Sequence, residues 1–143
     1  MALRSEFARR QALIEIDVLV AQEFGLTLEQ LIELYEIYFP VAQKKERNTY
    51  FDANGSIVWI SAKGTNNVGL IDVAGKKWSR NAWQDFLSTE KQFVECEILD
   101  DTMLGGPREV TRRFVGPFTQ CDRVDDYRRA WAHFERLKSE EAP

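Results

Sequence analysis

From Ala2 to Phe24 the chain contains neither Gly nor Pro, and apolar residues return at helical spacing as Leu3, Phe7, Leu13, Ile16, Val20 and Phe24. A chain that opens this way must bury one stripe of a long helix against some other element, so everything downstream is constrained to supply a packing surface. Gly25 closes that helix, and Thr27 with Gln30 three residues on forms a capping box that starts a second. The second helix, Leu28 to Phe39, is apolar on nearly every side through Leu31, Ile32, Leu34, Tyr35, Ile37 and Tyr38, which predicts a buried helix. Pro40 breaks or kinks it, and the polar run Gln43 to Thr49, with Lys44, Lys45 and Arg47, reads as a helix end passing into a loop.

The pattern then changes from helical to extended. Tyr50-Phe51, the turn Asp52 to Gly55 and the run Ser56 to Ser61 form a β-hairpin signal, because Asn54-Gly55 supplies the positive φ that tight hairpin turns require. Ile57 to Ile60 is unbroken apolar, the pattern of a strand covered on both faces. Lys63 to Gly69 reads as a polar loop, Val68 to Val73 as a short strand, and Ala74-Gly75 as a turn. Ser79 caps a short helix, Arg80 to Leu87, that buries Trp83 and Phe86. Gln92 to Leu99 alternates as a strand, with Val94, Cys96 and Ile98 on one face and Glu95 and Glu97 on the other. Arg108 to Phe114 is its partner, ended by Gly116-Pro117. Asp122, with Asp125 three residues on, starts a last helix whose Val124, Tyr127, Trp131, Phe134 and Leu137 form one apolar stripe.

This order predicts an α+β fold: an N-terminal helical pair, a small mostly antiparallel sheet with an inserted short helix, and a C-terminal amphipathic helix. No repeat or low-complexity linker interrupts it. The expectation is one domain over 1–143, with a helical part at about 1–47, a sheet part at about 48–118 and the last helix at about 122–139. The chain has 143 residues, 44% of them hydrophobic and 12% aromatic, enough for one well-buried core without disulfides. Cys96 and Cys121 stand far apart, fit no metal or redox spacing and read as small buried hydrophobes in a reducing compartment. No apolar run is long enough for a membrane helix, and Met1 to Arg10 lacks the features of a secretory signal, so a cytoplasmic protein that uses no membrane is expected.

The residues encode no complete catalytic constellation, so no catalytic residue, metal or cofactor is assigned. His133, the single histidine, falls off the stripe of the last helix and reads as a solvated surface residue. Glu95, Glu97, Asp100 and Asp101, with Lys91 nearby, offer oxygen ligands of the kind a metal-dependent nuclease uses, yet the acid, spacer, lysine pattern is absent, and a solvated strand face explains them more simply. Lys63-Gly64-Thr65 lacks the preceding glycine spacing of a phosphate-binding loop, and Gly105-Gly106-Pro107-Arg108 reads first as a tight turn. The formal net charge of −4 sets the whole-molecule field against a polyanion, so contact with nucleic acid has to be local or shared with a partner. The residues placed on such a contact are Lys63, Lys76, Lys77, Arg80, Arg108, Arg112 and Arg113, weighed against ordinary solvated charge. Arg112 and Arg113, adjacent on a strand, face opposite sides, so one of them needs a partner.

Several strings, taken in order, carry a family resemblance: LTLEQLIELY from Leu26 to Tyr35, YFPV from Tyr38, NTYFDANGSIV from Asn48, SAKG from Ser61, DDTMLGGPR from Asp100, PFTQCDRVDDY from Pro117, and Ala130-Trp131. From about Arg10 to Phe134 the chain resembles the carboxy-terminal segment of very large bacterial adenine-specific DNA methylases of restriction–modification and phage-defence systems. In that family the methyl-donor domain with its Asn-Pro-Pro-Tyr-type motif lies upstream, and no such motif occurs here. The stretch Thr65 to Gly75 is also briefer than its counterpart in the family. The resemblance implies a non-catalytic DNA-recognition or assembly module of an adenine-specific methyltransferase system, binding DNA weakly alone and meeting a methylase or another defence protein. It carries over no residue role. The methionine start suits either an excised domain or a free-standing protein, and no oligomeric state is implied. The alternatives are a protein-binding adaptor or inhibitor, including a phage-borne mimic, which the acidic total favours, and the nuclease reading above.

Overall fold

The computed structural model describes residues 3–58, 78–100 and 104–142, with the backbone alone over 96–100. Its elements are α1 (Glu6–Glu23), α2 (Leu28–Tyr38), α3 (Pro40–Glu46), β1 (Tyr50–Phe51), β2 (Ile57–Val58), α4 (Arg80–Leu87), β3 (Phe93–Asp100), β4 (Arg108–Val115), β5 (Thr119–Gln120) and α5 (Arg123–Glu141). The fold is α+β, with helices at both ends of the chain and small antiparallel sheets between them. It divides into two compact units, Met1–Asn48 joined with Gln120–Pro143, and Thr49–Thr119.

In the helical unit, local chemistry fixes most helix ends. Ser5 caps α1 by accepting from the Ala8 N–H at 3.1 Å. At the other end Gly25 takes a φ of +74°, which lets the Leu26 N–H reach the Ala21 carbonyl at 2.9 Å and the Gly25 N–H reach Gln22 at 3.1 Å, the paired bonds of a Schellman stop. Thr27 and Gln30 exchange both bonds of the capping box, at 3.2 and 2.9 Å. Pro40 breaks the helical run as expected, α2 ending at Tyr38, and then occupies the first turn of a new helix, α3, where its missing N–H costs nothing. The Gln43 amide donates back to the carbonyls of Tyr35 and Glu36 at 3.1 and 2.7 Å and so satisfies the end of α2. Asp122 caps α5 by accepting from the Asp125 N–H at 3.1 Å.

The core of this unit is Ile14, Val18, Tyr35 and Tyr127, with Leu31, Ile32, Val124, Trp131 and Phe134 packed against it. The α5 stripe is the one the sequence shows as far as Phe134, while Leu137 at its end is exposed. The α1 face is not the one expected. Leu13, Ile16, Val20 and Phe24 are exposed, and the packed face runs instead through Arg10, Ile14, Asp17, Val18 and Ala21. Two charged residues sit on that face, so counting apolar positions alone selects the wrong side. The second helix is also corrected: only Tyr35 of α2 is buried, while Leu34, Ile37 and Tyr38 stand in solvent.

In the sheet unit, β1 and β2 pair antiparallel with Tyr50 opposite Val58 and Phe51 opposite Ile57. The turn between them is built around buried Asp52, whose carboxylate accepts from the N–H groups of Asn54 and Ser56 at 3.0 and 2.8 Å, with Gly55 at a φ of +76°. Ser79 caps α4, accepting from Ala82 at 3.1 Å, and α4 buries Trp83 and Phe86 as expected. Trp83 is the centre of the core formed by Tyr50, Val58, Phe86, Val94 and Phe114; its ring lies 5.3 Å from Tyr50, 5.4 Å from Phe86 and 5.1 Å from Phe118. β3 and β4 pair antiparallel from Phe93 opposite Val115 to Asp100 opposite Arg108. Gly105 and Gly106, at φ of +115° and +96°, belong to the connection between them. β1 lies between β2 and β5 in a three-stranded sheet, and β5 is the strand in which the chain returns to the helical unit. The expected strand over 68–73 and its turn, the loop over 63–69, and the hairpin residues 59–61 lie outside the described residues. Among the described residues no helix is long and apolar enough to cross a membrane.

Replacing Trp83 by Ala removes a fully buried side chain whose ring packs against Tyr50, Trp78, Phe86 and Phe118. A loss of about 3–5 kcal/mol is expected, read as a lower urea midpoint of tryptophan-independent circular dichroism.

Candidate functional site

The helical unit contains a polar network and, beside it, an apolar cavity. The network is anchored on Glu46, the last residue of α3. Its carboxylate accepts two bonds from the Arg123 guanidinium, from Nη2 at 2.6 Å and Nε at 2.9 Å, together with the Tyr35 hydroxyl at 3.2 Å and Arg10 Nη2 at 3.4 Å. Arg10 also binds Asp126. Arg123 Nη1 reaches Asp17 at 3.3 Å, and the Tyr127 hydroxyl donates to the same carboxylate at 2.9 Å. One connected set of bonds therefore ties α1, α2, α3 and α5 together. The guanidiniums are planar forks matched to several carboxylate oxygens, which is why arginine rather than lysine serves here.

The electrostatics show what this network is built to do. Burial alone would raise the Glu46 carboxyl, but the bonds and charges of Arg123 and Arg10 outweigh it and hold Glu46 below the usual carboxylate range. Burial, then the Glu46 charge, pushes the Tyr35 phenol up to about 12. Burial pushes the Cys121 thiol up to about 11, against the pull of Arg10. Burial opposes the charge on Arg123, yet Glu46 and Tyr127 raise it overall. Every one of these groups moves away from neutrality, whereas general acids, bases and thiolate nucleophiles are tuned toward it. The network holds helices in place and keeps its protons fixed. Cys121, buried and protonated, behaves as the small hydrophobe the sequence suggests; the Cys96 side chain lies outside the described residues.

Asp17, Arg123 and Tyr127 form the polar end of a cavity of about 460 Å³ whose other walls are apolar: Val20 of α1 and Phe24 at its C-cap, Leu26 of the connection, Leu31 and Leu34 of α2, and Phe39. Several of its walls reach solvent, with Phe24 80% exposed, Phe39 56%, Val20 48% and Leu34 40%. Isolated exposed apolar residues are ordinary, but a cluster of large ones around a concave surface marks a binding face. A smaller polar pocket of about 250 Å³ lies by Gln43, Arg47, Gln120 and Asp122.

The basic residues singled out from the sequence are distributed differently. Lys63, Lys76 and Lys77 lie outside the described residues. Arg80 is exposed in the first turn of α4. Arg108 and Arg112 occupy alternate positions of β4 and are exposed, whereas Arg113 is out of phase with them. Arg113 lies 4.0 Å above the Phe93 ring and 3.9 Å from Glu95, so it is the member of the Arg112-Arg113 pair that has found partners. Glu95 and Glu97 are in phase along β3, and Asp100 is out of phase with both; Asp101 lies outside the described residues. Among the described residues no group of three His, Cys, Asp or Glu is placed to hold a metal ion. His133 is exposed on α5, its ring against Phe134. No family model, curated protein or solved structure matches the chain.

Sequence reasoning missed the network because its members are scattered as single charges among apolar residues. The signal was there in the spacing: Arg10, Ile14, Asp17, Val18 and Ala21 follow a helical period, as do Arg123, Asp126, Tyr127 and Ala130.

Replacing Glu46 by Gln should cost the helical unit about 3 kcal/mol in urea unfolding, since it leaves two guanidiniums short of a buried counter-charge. Because Glu46 is lowered on folding, its contribution is present above its unfolded value and is lost as pH falls through the folded one. Tyr35 is raised, so its contribution is present below about pH 10 and fades as pH climbs toward about 12. Melting temperature plotted against pH should fall at both ends, the acid limb flattening in Glu46→Gln and the alkaline limb in Tyr35→Phe.

Proposed function

We propose that this chain is a non-catalytic assembly module of an adenine-specific DNA methyltransferase system, working in the cytoplasm by docking another protein on the apolar face of its helical unit. The observation that carries the docking half is the cavity walled by Val20, Phe24, Leu26, Leu31, Leu34 and Phe39, several of which reach solvent. The methyltransferase half rests on the ordered strings between Arg10 and Phe134 that resemble the carboxy-terminal segment of those methylases. The same face suits an adaptor or inhibitor of such a system, since both act by occupying a partner.

DNA recognition is the second reading, and the observation favouring it is narrow. Arg108 and Arg112 stand exposed at alternate positions of β4, the spacing with which a β-ribbon can present two cations to phosphates. Against it stand the net charge of −4 and the engagement of Arg113 with Phe93 and Glu95.

The test pairs two measurements. In the first, the purified chain is added to an adenine-specific methylase of the resembled family that lacks its own carboxy-terminal segment, and methyl incorporation into duplex DNA is followed. Restored transfer that Phe24→Ser/Phe39→Ser abolishes supports assembly; restoration indifferent to those substitutions, or none at all, rejects it. In the second, the chain alone is titrated with a mixed duplex at two salt concentrations. The assembly reading expects no saturable binding at physiological salt, whereas steeply salt-dependent binding that Arg108→Ala/Arg112→Ala weakens would move the assignment to DNA recognition.

A further inference from the structure

Arg9, Leu13, Ile16, Val20 and Glu23 follow one another on α1 at intervals of four, three, four and three residues, the spacing of a seam that meets a second helix. At the rotation per residue of an α-helix these positions share a sector of about 80°, on the side away from buried Ile14, Val18 and Ala21. All five are exposed, Leu13 by 61%, Ile16 by 54% and Val20 by 48%. Neither Leu13 nor Ile16 lines the apolar cavity, a trough that takes only Val20 from this seam. The helical unit thus carries a second apolar surface, on the outside of α1, with a cation at its start and an anion at its end.

The order of charges along the seam decides what can cover it. Ile16 is the midpoint, seven residues from Arg9 and seven from Glu23, about 10 Å each way. A second α1 laid antiparallel across Ile16 brings its Glu23 end over the Arg9 end of the first and its Arg9 end over Glu23. One two-fold operation therefore makes two opposite-charge pairs around an apolar centre, the self-complementarity that a two-fold interface requires. A parallel copy would set Arg9 against Arg9 and Glu23 against Glu23, so like-charge repulsion disfavours that orientation. Chemistry within the chain does not account for Glu23: it is the last residue of α1, where the helix dipole disfavours an anion, and among the described residues it has no ion-pair partner. In the antiparallel pair it lies near the N-terminal end of the partner helix, where an anion is favoured. Arg9 donates from Nε to the Leu3 carbonyl at 3.2 Å, and its two Nη groups carry further donors that can reach across. The other acids of α1, Glu6, Glu15 and Asp17, fall outside the sector, and Asp17 is already bound to Arg123 and Tyr127.

From this pattern we infer that the outer face of α1 is a self-association surface, joining two copies of the chain as an antiparallel helix pair with Leu13, Ile16 and Val20 at its centre and Arg9 to Glu23 ion pairs at both ends. The inference goes beyond the assembly reading and does not depend on it, since the seam and the cavity share only Val20. Three apolar positions make a small interface, so the pair is reversible, with a dissociation constant on the order of tens of micromolar.

Sedimentation equilibrium of the intact chain should show a monomer–dimer equilibrium that weakens with salt. Ile16→Glu, at an exposed position, should leave the circular dichroism unchanged and abolish the dimer. Arg9→Glu and Glu23→Arg should each weaken association about tenfold, because two ion pairs become two like-charge contacts at once. The double exchange Arg9→Glu/Glu23→Arg should return it to within about twofold of the original, since both pairs re-form with their signs reversed. A chain that stays monomeric at the highest attainable concentration overturns the inference and leaves the seam to a partner of another sequence. Association indifferent to Ile16→Glu overturns it too, as does a double exchange that associates no better than the single ones. Association abolished by Phe24→Ser/Phe39→Ser but kept in Ile16→Glu would assign the contact between copies to the cavity instead.

Discussion

The arrangement of the helical unit depends on one carboxylate. Glu46 ends the short helix α3 and gathers Arg123, Arg10 and Tyr35 from α5, α1 and α2, so four helices meet at a single charge. Only Ile14, Val18 and two tyrosines of this core are buried, the hydrophobics around them being partly exposed, and such apolar packing by itself specifies helix rotation weakly. A charge-assisted network has geometry that apolar contact lacks: displacing any helix by a fraction of a turn would strand a guanidinium or a carboxylate in a half-buried site. The network is thereby a constraint on register as much as a source of stability, and the hydroxyls of Tyr35 and Tyr127 extend it into the aromatic core they also fill.

That constraint has a consequence for the surface. Because Arg10 and Asp17 must face the network, α1 turns Ile14, Val18 and Ala21 inward and leaves Leu13, Ile16, Val20 and Phe24 outward. Tyr35, held by Glu46, likewise fixes α2 so that Ile37 and Tyr38 point to solvent. The apolar trough and the polar network are two sides of one choice of helix rotation. A helix that was merely amphipathic would have buried the stronger apolar stripe and shown none of it.

Much of this could be read from local chemistry, and what failed did so for a reason. Ser79, Thr27 with Gln30, Gly25 and Asp122 set element ends where the sequence places them, because a cap acts over three or four residues and needs no distant partner. The strand β3 and the burial of Trp83 and Phe86 were equally local. The face of α1 and the burial of α2 were misread because hydrophobic periodicity assumes that charged residues point outward, and Arg10 and Asp17 do not. Of the residues proposed for a nucleic-acid contact, alternation correctly separated Arg112 from Arg113, but only the pairing of β3 with β4 showed that Glu95 and Phe93 stand beside Arg113.

By itself, then, the sequence determined the α+β class, the capped helix ends at Gly25, Thr27, Ser79 and Asp122, the burial of Trp83 and Phe86 and the apolar stripe of α5 as far as Phe134, but neither α3 nor β5. Each follows from interactions between residues a few positions apart or from a period repeated along one element. Tertiary structure decided which side of α1 and α2 faces inward, and with it the network around Glu46 and the exposed trough beside it. Asp17 and Arg123 are 106 positions apart in the chain, and nothing short of the folded arrangement brings opposite charges so separated to 3.3 Å.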